Sequence, residues 1–209
     1  MILLHTGDEQ HAVGAGPRNA FPHFGLVEKE IRHSRGLITK DEVRAVAIHK
    51  LRLPQRGVLW DIGAGSGSVS VEAARPSPGL RVYAIEKDEG QIANIEENKI
   101  RFGCTNMTIT AGEAPEALKN LPSPDRVFVG GSHGQLSGII NVVNERMPRG
   151  IIVINAVKTE TLNEAVLLLE KSFFAVDISQ VSISRSKVVN GQRHMAALNQ
   201  ISVIRGERQ

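Results

Sequence analysis

Residues 61–68 read Asp61-Ile-Gly-Ala-Gly-Ser-Gly-Ser68, a short glycine-rich run between two regularly patterned segments. The apolar stretch from Gly57 to Asp61 precedes it and is typical of a buried strand. The segment from Ser68 to Arg75 follows it and has a helical pattern. Glycines in such a turn let a ligand approach the main chain, and the free N–H groups of the helix start favour polar or anionic groups. The run therefore predicts a strand, a tight binding turn and a helix.

An acidic residue, Glu86, ends the next predicted strand, roughly twenty residues after these glycines, the usual spacing for a ribose-binding acid. Such an acid can accept hydrogen bonds from both ribose hydroxyls of NAD or of S-adenosylmethionine. The NAD fingerprint G-x-G-x-x-G would need glycine where Ser68 stands. The third glycine is Gly67 instead, so the loop favours S-adenosylmethionine as the cofactor. The binding residues expected from this argument are Gly63, Ala64, Gly65, Ser66, Gly67 and Glu86.

Two later loops are expected at the same edge of the sheet. Glu113 and Ala114 follow the third predicted strand, where adenine would lie if Glu86 holds the ribose. Glu113 would either orient the base or cap the next helix, and Ala114 would supply main-chain contact. The fourth predicted strand is followed by the open loop Gly130–Gly134, which is expected to face the substrate and to bring His133 near the cleft.

Strands and helices alternate along most of the chain. Strands are predicted at 57–61, 81–86, 107–110, 125–129 and 151–155, and helices at 68–75, at 89–102 and after the capping-box patterns Thr39–Glu42 and Thr161–Glu164. Phe174–Ser184 and His194–Arg205 are predicted as two final strands, with only a turn region over Lys187–Gln192 between them. The fold class predicted is α/β, a Rossmann-like class I S-adenosylmethionine-dependent methyltransferase. Its mostly parallel seven-stranded sheet would end in a C-terminal antiparallel hairpin.

Composition limits the domain number and the partners. Residues 1–35 lack periodicity and are expected to be a tail or linker, and residues 36–209 one methyltransferase domain. A net charge of +3 favours anionic ligands, fits a polycarboxylate substrate and is too small to indicate nucleic acid. The single cysteine, Cys104, excludes an internal disulfide and a cysteine-cluster metal site and suits the cytoplasm; no metal is expected. No stretch approaches a membrane span, so no membrane partner is expected.

Several blocks, taken in order, resemble a known family between Gly36 and about Arg205. They are Gly36-Leu-Ile-Thr-Lys-Asp-Glu-Val-Arg44, Trp60–Ser68, Tyr83-Ala-Ile-Glu-Lys87, Gly112-Glu-Ala-Pro-Glu-Ala-Leu118 and Pro124–Ser132. The family is the decarboxylating cobalt-precorrin-6B C15-methyltransferases of cobalamin biosynthesis, together with the matching C-terminal half of precorrin-6Y C5,15-methyltransferase. The sequence departs from the family pattern at His133, where a small residue is expected, and at Leu198-Asn-Gln200, where a proline is expected after the asparagine.

The resemblance implies methyl transfer from S-adenosylmethionine to carbon 15 of cobalt-precorrin-6B or precorrin-6B, with decarboxylation of a ring acetate. It adds Thr39 to the cofactor site and implies no particular catalytic residue, since the electron-rich macrocycle can act as the electron sink. Cationic partners for the carboxylates of the tetrapyrrole are expected among Arg32, Arg35, Lys158, Arg185, Lys187 and Arg193. The resemblance also implies a homotetramer. It further implies that the chain is fused to, or works with, a carbon-5 precorrin methyltransferase, and residues 1–35 would then be the remnant of a linker to that domain.

Two other functions are compatible with the motifs. An RNA methyltransferase shares the fold and the modest basic charge, but the loop after the fourth strand lacks the Asn/Asp-Pro-Pro-aromatic sequence that holds a flipped base. Aromatic residues, at 4%, are also few for base stacking. A non-catalytic cofactor-binding subunit is the second alternative, because the glycine loop and Glu86 would serve it equally well.

Overall fold

Alternating strands and helices build one central sheet with helices on both faces. The structure is a computed structural model and describes residues 24–209. Its strands are β1 (Arg56–Ile62), β2 (Gly79–Glu86), β3 (Met107–Ala111), β4 (Arg126–Val129), β5 (Gly150–Ala156), β6 (Ala175–Val181), β7 (Ser184–Val189), β8 (Gln192–Ala197) and β9 (Ile201–Arg208). Its helices are α1 (Asp41–Leu51), α2 (Ser68–Ala74), α3 (Glu89–Arg101), α4 (Leu136–Arg146) and α5 (Thr159–Lys171).

The main sheet has seven strands in the order β3-β2-β1-β4-β5-β9-β6. Strands β1 to β5 pair in parallel, and β9 runs antiparallel to both of its neighbours. The chain moves outward from β1 to β3 on one side and from β4 to β5 on the other. The order therefore reverses between β1 and β4, and open α/β sheets bind ligands at the carboxyl ends of the strands beside such a reversal. The predicted Rossmann-like class is confirmed.

The core lies in two layers because the central strands are buried on both faces. Helices α1 to α3 cover one face, where Leu59 and Phe128 are buried, and α4 and α5 cover the other, where Trp60 and Ile152 are buried. Five consecutive residues of β1 are buried, as expected for a central parallel strand. This packing holds the carboxyl ends of β1 and β4 rigidly beside each other.

The C-terminal strands confirm one expectation and correct another. Strands β6 and β9 pair antiparallel in the main sheet, as the predicted hairpin requires. The expectation of a simple turn over Lys187–Gln192 was wrong, because β7 and β8 form a separate two-stranded hairpin there, turning at Asn190 and Gly191. This hairpin is largely exposed on both faces, so its sequence shows no alternation of apolar and polar residues.

Helix starts were less predictable than helices. Helix α1 begins at Asp41 with Lys40 at its N-cap and no side-chain cap, so the expected cap by Thr39 was wrong. Instead, the carbonyl oxygen of Thr39 accepts a hydrogen bond from Arg44 Nη1 at 2.9 Å. Helix α5 begins at Thr159, before the predicted Thr161 cap, again with no side-chain cap. Helix α4 was not predicted, although its buried residues Leu136, Ile139, Ile140 and Val143 have helical spacing.

The packed part of the chain begins before the expected boundary at Gly36. Leu26 and Ile31 are 1% and 2% exposed and belong to the core beneath α1. The buried ion pair between Arg44 and Glu72 also reaches this segment, since Glu72 accepts a hydrogen bond from Gly25 N and Arg44 donates one to the Leu26 carbonyl oxygen. Residues 24–35 are therefore packed rather than a tail, and residues 1–23 of the expected tail lie outside the described residues.

Candidate active site

A cleft opens at the carboxyl ends of β1 to β4, where the strand order reverses. Its empty volume is ≈ 270 Å³ and part of it is open to solvent. The loops after all four strands contribute to its lining, which includes Gly63, Glu86, Lys87, Glu113, Ala114 and His133. Four segments that are distant in sequence thus meet at one edge of the sheet, the place where this fold binds small molecules.

The glycine loop is held against the neighbouring loops by its own backbone. The N–H groups of Gly63 and Ala64 both donate to the Ile85 carbonyl oxygen at 3.0 Å. A side chain at Gly63 would clash with the Gly131 carbonyl oxygen, because the loops after β1 and β4 touch there. At Gly65, by contrast, a Cβ atom would meet only the Leu37 carbonyl oxygen, at 3.8 Å. The loop is therefore closed toward β4 and open at Gly65, on the side of the segment that precedes α1.

Asp61 is the next-to-last residue of β1, and it lies in the buried part of the strand just before this loop. It is 0% exposed, and its Oδ2 accepts a hydrogen bond of 2.6 Å from Ser70 Oγ in α2. Its other carboxylate oxygen, Oδ1, has no hydrogen-bond partner among the described residues. Burial raises the pKa of Asp61 to about 7, and the nearby charge of Glu86 adds to the rise, while the hydrogen bonds of Ser70 oppose it. The loop therefore rests on a carboxyl group that titrates near neutral pH.

Glu86 is positioned by main-chain donors rather than by a cation. Its Oε1 accepts hydrogen bonds from the N–H groups of Lys87 and Asp88, at 2.9 and 3.0 Å. Its Oε2 accepts one from Gly65 N at 2.8 Å, which joins the end of β2 to the glycine loop. A carboxylate oxygen can accept two hydrogen bonds, so Oε2 retains capacity for a ligand hydroxyl. The side chain is 6% exposed and lines the cleft.

An ion pair closes one side of the cleft. Lys87 Nζ lies 2.6 Å from Glu113 Oε1 and joins the ends of β2 and β3. This hydrogen bond, together with the charge of Lys87, holds the pKa of Glu113 below its ordinary value. Sequence reasoning assigned no role to Lys87, since only the pairing of β2 with β3 shows that the two side chains meet. Glu113 is thus an anion engaged with Lys87 at the edge where adenine was expected.

The structure brings four of the nine expected cofactor residues into the cleft lining: Gly63, Glu86, Glu113 and Ala114. Ser66 is buried beneath the loop, with its Oγ unpaired among the described residues. Gly67 is the N-cap residue of α2, where an added Cβ would lie 3.2 Å from the Ile95 side chain. Ala64 and Gly65 lie in the loop above them. Thr39 lies outside the lining, in the segment that approaches Gly65 through Leu37. His133 lines the cleft as expected, with a positive φ of 48°.

The expected cationic partners of the substrate divide into two groups. Arg185 donates to Glu42 and Glu28 at 2.5 to 3.0 Å, so it ties the β7–β8 hairpin to α1 rather than facing the cleft as a free cation. Arg35 and Arg32 form ion pairs with Asp88 and Glu97. Arg193 Nη1 donates to Ser186 Oγ within the hairpin. Lys158 and Lys187 have no ion pair or side-chain hydrogen bond with any described residue.

The described residues contain no group of three or more His, Cys, Asp and Glu side chains arranged to hold a metal ion. Within residues 24–209, none of the helices is both long and apolar enough to cross a membrane.

A family model described as a precorrin methyltransferase domain matches residues 30–205. The probable cobalt-precorrin-6B C(15)-methyltransferase (decarboxylating) of Pyrobaculum calidifontis is 40% identical over 183 residues, covering 86% of this chain and 94% of the relative. The decarboxylating precorrin-6Y C(5,15)-methyltransferase of a Sinorhizobium species is 38% identical over 158 residues, covering 75% of this chain but 37% of that longer protein.

The crystal structure of precorrin-6y C5,15-methyltransferase from Geobacter metallireducens matches with a TM-score of 0.86 at 40% identity. The match covers 90% of this chain and 100% of that one. These similarities confirm the resemblance inferred from the sequence blocks. The chain belongs to the family of precorrin methyltransferase domains.

Proposed function

We propose that this chain methylates carbon 15 of a corrin precursor, cobalt-precorrin-6B or precorrin-6B, with decarboxylation of the ring acetate, in cobalamin biosynthesis. The methyl donor is S-adenosylmethionine. The names of the relatives support the reaction and the substrate class. The single observation that carries the cofactor assignment is the junction of Glu86 with Gly65, which sets an acid beside the open part of the glycine loop.

The residues of the cleft fit S-adenosylmethionine. Glu86 Oε2 has capacity for a ribose hydroxyl, and Ala114 offers main-chain contact at the edge of the sheet where the base would lie. The open backbone at Gly65 leaves room for the amino-acid part, beside the segment that contains Thr39. When bound, the cofactor supplies an electrophilic methyl group. Thr39, Ala64, Ser66 and Gly67 remain proposed members of this site.

The residues of the chain then bind and orient the substrate. The titratable side chains that line the cleft are Glu86, Glu113, Lys87 and His133. Glu86 accepts hydrogen bonds from main-chain donors and has its remaining capacity assigned to a ribose hydroxyl, and Glu113 pairs with Lys87. We therefore assign no catalytic residue and expect rate acceleration from alignment of the reacting carbon and exclusion of water.

We further propose that the chain acts in the cytoplasm as a homotetramer and works with, or is fused to, a carbon-5 precorrin methyltransferase. The longer Sinorhizobium relative, named for both carbons, supports the pairing. Exposed apolar side chains of the β7–β8 hairpin, Val188, Val189 and Met195, support association of chains. Light scattering at working concentration tests the tetramer, and a monomer would refute it.

The test of the function is anaerobic incubation of the protein with labelled S-adenosylmethionine and either cobalt-precorrin-6B or precorrin-6B. We expect a product that has gained one labelled methyl group and lost carbon dioxide. Glu86→Gln should weaken cofactor binding, whereas Glu89→Gln, a matched change at an exposed carboxylate in the first turn of α3, should not. Cofactor binding without any change in either tetrapyrrole would refute the substrate assignment and leave the cofactor assignment standing.

A further inference from the structure

A second cavity lies at the same edge of the sheet, beyond β4. Its volume is ≈ 460 Å³ and it is open to solvent, a size within the range of ligand pockets. The start of α5 forms one wall through Lys158, Thr159 and Leu162. The other wall consists of Gln180 near the end of β6, Ser202 at the start of β9 and Asn199 in the connection before β9. The cofactor cleft and this cavity have no lining residue in common.

Strand order sets the separation of the two sites. Ser202 pairs with Ala156 of β5 on one side and with Gln180 of β6 on the other, so the cavity is centred on β9. Two strand spacings separate β9 from β4, whose loop lines the cofactor cleft, which is about 10 Å. A macrocycle with acidic arms can span that distance while one of its carbons faces the cleft.

The polar groups of the cavity favour an anion. Lys158 is the only charged residue in its lining, and its ammonium has no ion pair with any described residue. Lys158 is also the N-cap residue of α5 and provides no side-chain cap, so the first N–H groups of this 13-residue helix add positive potential. The cavity therefore combines a cation and a helix start, and although Glu160 lies in the first turn of α5, no carboxylate lines the cavity.

Ser202 adds a hydrogen-bonding group to the wall of the cavity. It is 8% exposed and lines the cavity, and its hydroxyl makes no hydrogen bond with any described residue. Ser202 Oγ is not among the fully buried, unpaired polar atoms of the described residues, so it is accessible from the cavity. A ligand oxygen in the cavity would give Ser202 Oγ its partner.

We propose that this cavity binds a carboxylate arm of the tetrapyrrole substrate, with Lys158 as the cation and Ser202 as a hydrogen-bond donor. The inference rests on the proposed function, because a polycarboxylate substrate is what extends from the cofactor cleft to β9. It assigns to α5 and β9 the binding of one arm of the macrocycle beside the cleft.

The test is steady-state kinetics of Lys158→Gln with cobalt-precorrin-6B. Loss of a charge-assisted hydrogen bond in an open cavity should raise KM for the tetrapyrrole about fivefold to tenfold. Both kcat and KM for S-adenosylmethionine should stay within about twofold, because Lys158 does not line the cofactor cleft. Ser202→Ala should raise the same KM by a smaller factor, about threefold, because it removes a neutral donor.

The matched control is Lys171→Gln at the opposite end of α5, about 20 Å from Lys158 along the helix. Lys171 is exposed in the last turn, and its replacement should change neither KM. An unchanged tetrapyrrole KM in Lys158→Gln, or an equal rise in Lys171→Gln, would overturn the proposal.

Failure of the proposed function gives a different result, namely no product with the unmodified chain. In that case binding of uroporphyrin, a porphyrin octacarboxylate, is measured by fluorescence for the same variants. Binding that Lys158→Gln weakens about fivefold or more and Lys171→Gln does not would support a carboxylate site for another acid. Binding that is absent or independent of Lys158 would overturn the inference as well.

Discussion

The buried carboxyl of Asp61, beneath the glycine loop, should make the stability of the protein depend on pH, and Asp61→Asn should remove that dependence. Replacing Asp61 by asparagine removes the ionisable proton and keeps an oxygen that can accept the hydrogen bond of Ser70. Burial at the end of β1 is the main cause of its raised pKa, about 7 against an ordinary 3.8. The folded protein thus binds this proton more tightly than the unfolded chain does. Its contribution to stability is complete below about pH 3.8 and is lost as the pH rises to about 7.

The size of the effect follows from the two pKa values. A difference of about three units, at 1.36 kcal/mol per unit, corresponds to about 4 kcal/mol between the acid and alkaline limits. Between pH 5 and pH 8 the pH passes through about two of the three units that separate the unfolded from the folded pKa, so about 3 kcal/mol of the effect should be observed. The unmodified protein should therefore lose about 3 kcal/mol of its free energy of unfolding between pH 5 and pH 8 through Asp61, and Asp61→Asn should not lose it. The difference, variant minus unmodified protein, should rise by about 3 kcal/mol over this range.

The assay is urea denaturation of both proteins at half-unit intervals between pH 5 and pH 8. Glu89→Gln serves as the control for loss of a carboxyl group at an exposed position. A difference between Asp61→Asn and the unmodified protein that stays flat with pH, or that falls as the pH rises, would refute the reasoning. A flat difference would mean that the carboxyl is already ionised in the folded protein at pH 5, as it is in the unfolded chain, so that burial does not raise its pKa.

Three further predictions concern other parts of the fold. Gly63→Ala should lower the free energy of unfolding by about 2–4 kcal/mol, because its Cβ would clash with the loop after β4. Gly65→Ala should lower it by only about 1–2 kcal/mol, the cost of a positive φ at alanine. Equal losses in urea titrations would contradict the close approach of the loops after β1 and β4. Arg185→Ala should speed hydrogen exchange in residues 184–197, because the hairpin loses its hydrogen bonds to Glu28 and Glu42. Arg193→Ala, which removes a hydrogen bond within the hairpin, should speed it much less. Similar protection in both variants would contradict the role of Arg185 in holding the hairpin. Cys104 should not react with a maleimide at pH 8 until the protein unfolds, because burial raises the pKa of its thiol to about 11. Rapid labelling of the folded chain would show that the Cys104 thiol is accessible.

The local pattern of the sequence was enough to identify the elements that form the proposed cofactor site. The run Asp61–Ser68 has a strand before it and a helix after it, and Glu86 ends the next strand, as the structure shows. These features were predictable because glycine spacing and buried strands are properties of neighbouring residues. Helix α4 was equally accessible to the same method, since its apolar residues repeat with helical spacing. The β7–β8 hairpin was not, because an exposed ribbon has no buried face to impose a pattern.

Only the tertiary structure decided which side chains meet. The sequence marks Arg185 and Lys158 as equivalent cations, but packing of the hairpin on α1 neutralises Arg185 and leaves Lys158 unpaired in a cavity. Ser202 joins that cavity because β9 enters the sheet between β5 and β6, an order that no local pattern encodes. The physical reason is that periodicity reports how each segment is buried, whereas strand order depends on contacts between segments far apart in the chain.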